Sequence, residues 1–471
     1  MADSRATLIA RLQEVVGPTH VLTSPDAMSP YLVDWRGRYR GEARCVVRPS
    51  ATNEVAAVVR LCAEASAPIV PQGGNTGMCG GATPDAGGGE IVVSLGRMAR
   101  VRAIDPANAT ITVEAGVPLA TVQEEARNAG MYFPLSLASE GSCTIGGNVS
   151  TNAGGTAVLR FGNARELTLG IEVVLADGRV WDGLRGLRKD NTGYDLKQLF
   201  IGGEGTLGIV TAVVLKLFAA PLARVTAFVA LRDVQQAIDC LRGLRQTLGD
   251  RLTGFELMSD IALAFSRRHH PSLPDPLPGH PWYALIQADD PAADSALGAQ
   301  VERALASAVE SGSALDATIA QSTEQASKLW ALRENISEGQ RREGPNLKHD
   351  ISLPVSAIPE FIACAEASLT AVFPGLRFVI FGHLGDGNLH YNLSAPAGVA
   401  PEAFLRHTEA AAHIVYDRVD AVGGSISAEH GIGQLKRDEL PRYRAAIELE
   451  LMRRIKSAFD PAGILNPGKV L

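Results

Sequence analysis

The chain has 471 residues, 46% of them hydrophobic and 20% charged, with a formal net charge of −7. That length allows about two to four domains of about 100–200 residues with ample core, and the mild acidity argues against a nucleic-acid partner. No apolar run approaches the ~18 uninterrupted residues of a membrane-spanning helix, so no membrane span is expected.

The N-terminus, MADSRATLIARLQEVVG, has helical periodicity and an acidic residue, without the apolar core or cleavage site of a signal peptide. The six cysteines are scattered without C-x-x-C spacing, which fits a reducing cytoplasm and excludes a conventional iron–sulfur cluster. From Cys45 the chain alternates elements. CVVRP reads as a strand, Thr52 or Asn53 as the cap of a helix with Glu54 in its first turn, and PIVP as a second strand. That strand enters the loop Gln72–Gly81, which is rich in glycine. Such a loop is either a flexible linker or a nest of backbone N–H groups for phosphates. Its place between two strands, with GEIVVSL following, favours the cradle.

A second glycine run spans Ser139–Gly155 and a third Gly202–Val210. The third contains G-x-G-x-x-G at Gly203, Gly205 and Gly208. A nicotinamide fingerprint needs a helix next and an acidic residue about 20 positions on. Here VTAVVLKLF follows, rich in β-branched residues, so a strand is expected and a nicotinamide site is not.

After Phe218 the character changes to amphipathic stretches and a Pro-rich loop, SRRHHPSLPDPLPGHP. His269, His270 and His280 lie there without turn geometry or carboxylate partners and read as solvated loop residues. Trp330–Glu338 reads as helix, placing Arg333 and Ser337 on one face as i,i+4 neighbours. Leu347–Pro354 reads as a strand of period two, with Lys348, Asp350 and Ser352 on one face and His349 among apolar residues on the other, as a packed histidine. Arg333 alone would be a surface ion-pair residue. With Lys348 and a metal site in the same domain, it becomes a candidate carboxylate clamp.

Arg377–Asn392, RFVIFGHLGDGNLHYN, reads as a β-hairpin turning at Gly385-Asp386-Gly387-Asn388. His383 and His390 flank the turn and are expected to face each other, with Cβ atoms about 4.5–5.5 Å apart, close enough to share a metal. An isolated pair at this spacing could equally be two core or solvated histidines. The Gly-Asp-Gly turn, and the downstream Glu429-His430 followed by two glycines, favour a metal site with an open position.

The runs PQGGNTG, EGSCTIGGNVSTNAGG and GGEGTLGIVT, in that order, resemble the flavin domain of the vanillyl-alcohol-oxidase/p-cresol-methylhydroxylase superfamily. The resemblance implies an α+β fold: an N-terminal helix and two-lobed FAD-binding domain over residues 1–220, an antiparallel-sheet substrate cap over 221–425, and a segment, 426–471, that returns to the FAD domain. It implies FAD, bound non-covalently because the first loop lacks a histidine. Gly73, Gly74, Asn75, Thr76 and Gly77 would contact the pyrophosphate, with Pro71 and Gly80 also at the cofactor. Gly141, Ser142, Ile145, Gly146, Asn148, Ser150, Ala153 and Gly154 would wrap the flavin. Glu204 and Ile209 would touch the adenosine side or the ring, Asn466 would return to the flavin, and Pro134 would also bind the cofactor.

WALRENISEG, LKHDISLPV, FGHLGDGNLHYN and ISAEHGIG are similar to the D-2-hydroxy-acid dehydrogenase branch. That similarity implies His383, His390 and Glu429 as ligands for zinc or another divalent metal such as manganese, and His430 as the base. Asn392 would touch substrate near the metal. Arg333, Ser337 and Lys348 would hold the distal carboxylate of a five-carbon diacid, Ser337 standing where the branch often has threonine. The implied reaction is oxidation of D-2-hydroxyglutarate to 2-oxoglutarate, with electrons leaving to an external acceptor such as an electron-transfer flavoprotein and with a homodimer as the assembly. D-lactate, D-malate or glycolate are alternative substrates, and a non-redox flavin transferase is a more distant alternative.

Overall fold

The computed structural model describes residues 2–396 and 398–471. The chain divides into two compact units, one made of Met1–Gly154, Gly162–Ala220 and Glu429–Leu471, the other of Gly155–Phe161 and Pro221–Ala428.

In the first unit, helix α1 (Ala2–Val16) buries Leu8, Leu12 and Val16, which share one face at i,i+4 spacing. Strand β1 (Val21–Leu22) pairs antiparallel with β2 (Cys45–Val47), while β3 (Ile69–Gln72) and β4 (Ile91–Ser94) run parallel in the order β1-β2-β4-β3. These strands are buried on both faces, as the parallel arrangement demands. Cys45, Val47, Ile69, Ile91 and Val93 pack with α1 and with helix α2 (Thr52–Glu64), while Val46, Val70 and Val92 face a second cluster around Met28 and Ala43. Neither Thr52 nor Asn53 caps α2. Ala51 holds that position, and Glu54 reaches back to accept the Ser50 amide at 2.7 Å, while the Thr52 hydroxyl donates to Glu172 at 2.6 Å.

The second lobe of this unit is a five-stranded antiparallel sheet of β5 (Val101–Asp105), β6 (Thr110–Glu114), β7 (Thr168–Val174), β8 (Val180–Gly183) and β9 (Ile209–Lys216), in the order β5-β6-β9-β7-β8. The second glycine run folds into a short helix, α3 (Ile145–Ser150), and the third leads directly into β9, a strand. The C-terminal helix Ala446–Phe459 is tied in by Lys456, whose ammonium donates to the carbonyls of Thr206 and Leu465 at 2.7 Å each.

The second unit is built on an eight-stranded antiparallel sheet. Its strands are β10 (Ala223–Leu231), β11 (Leu252–Ser259), β12 (Trp282–Asp290), β13 (Asp316–Ile319), β14 (Asn346–Leu347), β15 (Asp350–Ser352), β16 (Arg377–His383) and β17 (Asn388–Ser394). Their order is β13-β10-β12-β11-β16-β17-β14, with β15 also on β17. Phe228, Leu285, Met258, Val379 and Phe381 pack against helices α4 (Asp260–His269) and α5 (Thr323–Glu334) through Phe265, Leu329 and Leu332. Helix α6 (Ile336–Arg342) follows α5 immediately.

Three local expectations change here. The stretch Leu347–Pro354 is not one strand: it breaks at Lys348 and His349 into β14 and β15. Arg333 and Ser337 are not on one continuous helix, because Asn335 closes α5 and opens α6, its side chain donating to the Ala331 carbonyl at 2.8 Å. His269 is not a solvated loop residue; it ends α4 with Nε2 3.0 Å from Glu343. One helical stretch, Val355–Val372, is long and apolar enough to cross a membrane by length and composition. Within it, helix α7 (Ile358–Val372) buries Phe361, Ile362, Ala365 and Leu369, and the Phe361 ring lies edge-on to Tyr391 of β17 at 5.3 Å.

Candidate functional site

The hairpin β16–β17 forms with Phe381, not His383, opposite His390. His383 lies beyond the paired ladder on this side and is registered instead with Glu256 of the neighbouring β11. The two histidines therefore meet diagonally, with ring centroids 5.7 Å apart and ligand nitrogens within 4.8 Å. That bound is near the reach of two Zn–N bonds of about 2.0–2.1 Å each, so a small side-chain adjustment would let both histidines ligate one metal.

Glu256 was not singled out in the sequence. It is fully buried in β11, and its two oxygens divide their work: Oε1 lies 2.6 Å from His383 Nδ1, and Oε2 accepts Arg333 Nε at 2.8 Å. Burial alone would lift this carboxyl, but the charges of His383 and Arg333 and their hydrogen bonds override it and bring it down to about 2. The Arg333 guanidinium stacks over Phe381 at 4.7 Å, and the Phe381 ring lies 4.9 Å from that of His390. A period-two strand pattern places Glu256 among Phe255, Leu257 and Met258, so the only available signal was a lone acid in an apolar strand.

Beyond the hairpin, Asp350 on β15 pairs in register with His390. Its Oδ1 accepts from Asn388 at 2.9 Å and stands 3.9 Å from His390 Nδ1, an ion-pair distance too long for a hydrogen bond. Asp386, in the turn, is pushed up to about 6 by burial. Asn392 faces inward: its Oδ1 accepts the His349 amide at 3.2 Å and its amide donates to Gln340 at 3.0 Å. Its side chain thus braces α6 against the sheet. Lys348 is half-buried and Ser337 exposed. His349 is packed as expected, 3% exposed, with Nδ1 2.9 Å from the Tyr391 carbonyl.

In the first unit the glycine runs pack on one another. A Cβ at Gly74 would stand 1.9 Å from the Ser142 carbonyl oxygen, and one at Gly73 would stand 2.4 Å from the Thr144 hydroxyl. Gly146 is equally constrained by Ala115, at 2.6 Å. Gly77 and Gly141, by contrast, have nothing within 4 Å on that side. Close packing on one side and open space on the other suit a cradle for an extended ligand. Two buried polar atoms, Thr144 Oγ1 and Asn466 Oδ1, find no hydrogen-bond partner among the described residues, and a bound polar group could satisfy them. FAD therefore fits these loops. Asn75 turns at φ 53° and donates to the Val33 carbonyl at 2.8 Å. Thr76 is half-buried, Gly80 turns at φ 70° against Tyr39, and Pro71 packs against Gly205. Pro134, Asn148 and Ala153 are buried, while Ser142 is exposed.

Glu204 and Ile209 also have contacts within the first unit. Ile209 is 1% exposed and packs in the core of the parallel sheet. Glu204, at φ 49°, accepts the Ile432 and Gly433 amides at 2.7 and 2.8 Å, so both its oxygens hold the loop after His430. Asn466 links the Gly81 and Glu204 carbonyls, and the Ser150 carbonyl accepts the Glu204 amide at 2.8 Å. The Cys79 carbonyl accepts the Gln434 amide at 2.8 Å. Glu429 packs on Gly154, where an added Cβ would stand 2.9 Å from Oε1. His430 is half-buried.

A two-lobed flavin-binding fold joined in sequence to an antiparallel sheet is the fold of the p-cresol-methylhydroxylase class of flavoenzymes. The solved structure of p-cresol methylhydroxylase with substrate bound matches with a TM-score of 0.77 at 17% identity, over 100% of this chain and 97% of that one. Residues 43–183 match the FAD binding domain and residues 220–470 the C-terminal domain of FAD linked oxidases. The mitochondrial D-2-hydroxyglutarate dehydrogenase of Bos taurus is 40% identical over 98% of this chain and 83% of that protein. The D-2-hydroxyglutarate dehydrogenase of Xanthomonas citri pv. viticola is 38% identical over 100% of this chain and 97% of that protein. The chain belongs to the D-2-hydroxyglutarate dehydrogenase family of FAD-dependent oxidoreductases.

Proposed function

We propose that the chain oxidises D-2-hydroxyglutarate to 2-oxoglutarate with His383, His390 and Glu429 holding a divalent metal, zinc or manganese, and with electrons passing to an external acceptor such as an electron-transfer flavoprotein. The observation that carries the reading is the hairpin pair, two imidazoles with ligand atoms within 4.8 Å and one of them oriented by a buried carboxylate. Glu429 enters by chain continuity. Residues 425–428 run beside β15, the Ala428 amide lies 3.3 Å from the Asp350 carbonyl, and Glu429 is the next residue. Two histidines and a carboxylate are a donor set that zinc and manganese accept.

The reaction breaks the C2–H and O–H bonds of the alcohol and forms a carbonyl. When bound, FAD takes up two electrons with the C2 hydrogen, and the metal lowers the pKa of the alcohol. His430 accepts the hydroxyl proton. Arg333 receives the distal carboxylate through its planar fork, Lys348 adds a point charge, and Ser337 offers a hydroxyl. Asn392 would contact the substrate near the metal. Pro71, Gly73–Gly77 and Gly80, together with Pro134, the named residues from Gly141 to Gly154, Glu204, Ile209 and Asn466, would hold FAD.

The test is a panel of D-2-hydroxyglutarate, D-malate, D-lactate and glycolate with a dye acceptor, with and without chelator. The expected result is a marked preference for the five-carbon diacid and loss of turnover on chelation. Equal rates on D-lactate would overturn the diacid assignment, and full rates after metal removal would overturn the metal. Anaerobic bleaching of the yellow enzyme by the diacid separates the oxidation from non-redox transfer.

A further inference from the structure

We propose that Glu256 is a positioning residue shared by two parts of the site: one carboxylate sets the tautomer of His383 and seats Arg333, so metal affinity and selectivity for a diacid are set together. The inference rests on the reading of His383 as a ligand and Arg333 as the clamp, and it adds the residue that couples them.

The argument starts from register. In the antiparallel pair β11–β16, Glu256 stands opposite His383, the geometry in which cross-strand side chains touch. A carboxylate with no exposure survives in an apolar strand only with its lone pairs satisfied. Both oxygens are, by different elements: β16 supplies His383 and α5 supplies Arg333.

An ionised carboxylate only accepts, so at 2.6 Å His383 Nδ1 must carry the proton. In the neutral imidazole that a metal binds, this proton on Nδ1 leaves the lone pair on Nε2, the nitrogen a metal needs. On the other side, Glu256 takes Arg333 at Nε and Phe381 supports the guanidinium face at 4.7 Å. The Nη1/Nη2 edge is thereby assigned to a second carboxylate. A merely structural ion pair would need neither the tautomer nor the choice of guanidinium edge.

Glu256→Gln tests this with almost no change in volume. Glutamine offers one acceptor to two donors, so His383 and Arg333 cannot both keep their bonds. Zinc affinity of the FAD-loaded enzyme, measured by competition with a chromophoric chelator, should fall about 10–100-fold, the usual cost of losing a partner of a metal-bound histidine. At saturating zinc, the ratio of kcat/KM for D-2-hydroxyglutarate to that for D-lactate should narrow by about tenfold, one charged hydrogen bond's worth. Zinc affinity within twofold of wild type, or an unchanged substrate ratio, overturns the proposal. His383→Ala runs beside it: if that variant loses zinc while Glu256→Gln keeps it, only the coupling fails. If His383→Ala itself keeps wild-type zinc affinity, the metal reading fails first. Should Glu256→Gln not load flavin, Glu256→Asp takes its place, withdrawing the carboxylate by one C–C bond of about 1.5 Å. A several-fold loss of zinc affinity is expected there too, and wild-type affinity would overturn the proposal.

Discussion

The hairpin of the second unit and the glycine loops of the first unit solve opposite problems. Around His383 and His390 the backbone is ordinary antiparallel ladder, and the chemistry lies in side chains: Glu256, Arg333, Phe381 and Asp350 supply charge and orientation. In the loops at Gly73–Gly74 and Ser142–Gly146 the backbone itself is the working surface, and side chains are absent because there is no room for them. The hairpin should thus fail when a functional group changes and the loops when a single carbon is added. The difference also separates two readouts, metal content and flavin content.

The largest expected effect is on the hairpin side. His383→Ala should lower turnover on the order of 10³-fold, the scale of the several kcal/mol of charge stabilisation a metal supplies. Metal content should fall with it, while the flavin absorbance per chain stays at the wild-type level. A coupled loss of flavin would show that the two regions are not separable in this way.

On the loop side, Gly74→Ala should cost about 1–3 kcal/mol or more, because its Cβ would meet the Ser142 carbonyl oxygen, a backbone atom, at 1.9 Å. Gly73→Ala should cost less, since its obstacle is the Thr144 hydroxyl, which can rotate. The flavin-to-protein ratio and Tm of the two variants check the ranking, and metal content should be unmoved in both. Equal loss from the two would mean that the loop shifts as a body.

Next comes the clamp. Arg333→Ala should lower kcat/KM for D-2-hydroxyglutarate by about 10–100-fold, the value of a charged hydrogen bond pair, while D-lactate, with no distal carboxylate, changes far less. Parallel losses on both acids would reassign Arg333 to holding Glu256 in place.

These contrasts also explain what could be read from the chain beforehand. The wording of the three glycine runs carried the resemblance that implied the flavin fold, and at Gly73, Gly74 and Gly146 the glycines mark places without room for a side chain. The hairpin was legible from its turn, and His349 as a packed residue from its apolar face. Register was not: Phe381, two residues before His383, stands opposite His390, and His383 stands opposite Glu256 of β11. The break at Asn335 depends on a side chain competing with the helix ladder, and Glu256 and Glu204 matter through partners 127 and more than 200 residues away. No local pattern carries such contacts.

Glu204 offers the smallest and most discriminating test, since here a charged side chain works inside the backbone-built unit. Burial lifts its carboxyl above the ordinary value of 4.5, against the pull of the Ile432 and Gly433 amides and of Lys436. A carboxyl whose folded pKa is raised binds its proton more readily when folded, so its contribution to stability is complete below about pH 4.5 and declines as pH rises through the folded value. Glu204→Gln does not titrate and can accept only one of the two amides, a loss of about 1 kcal/mol. The wild-type advantage in Tm should therefore be largest near pH 4.5 and shrink toward neutrality. An advantage that grows with pH would mean that the two amides and Lys436 outweigh burial. Glu204 would then hold the loop after His430 as a carboxylate, and this corner of the first unit would follow the charge logic of the hairpin.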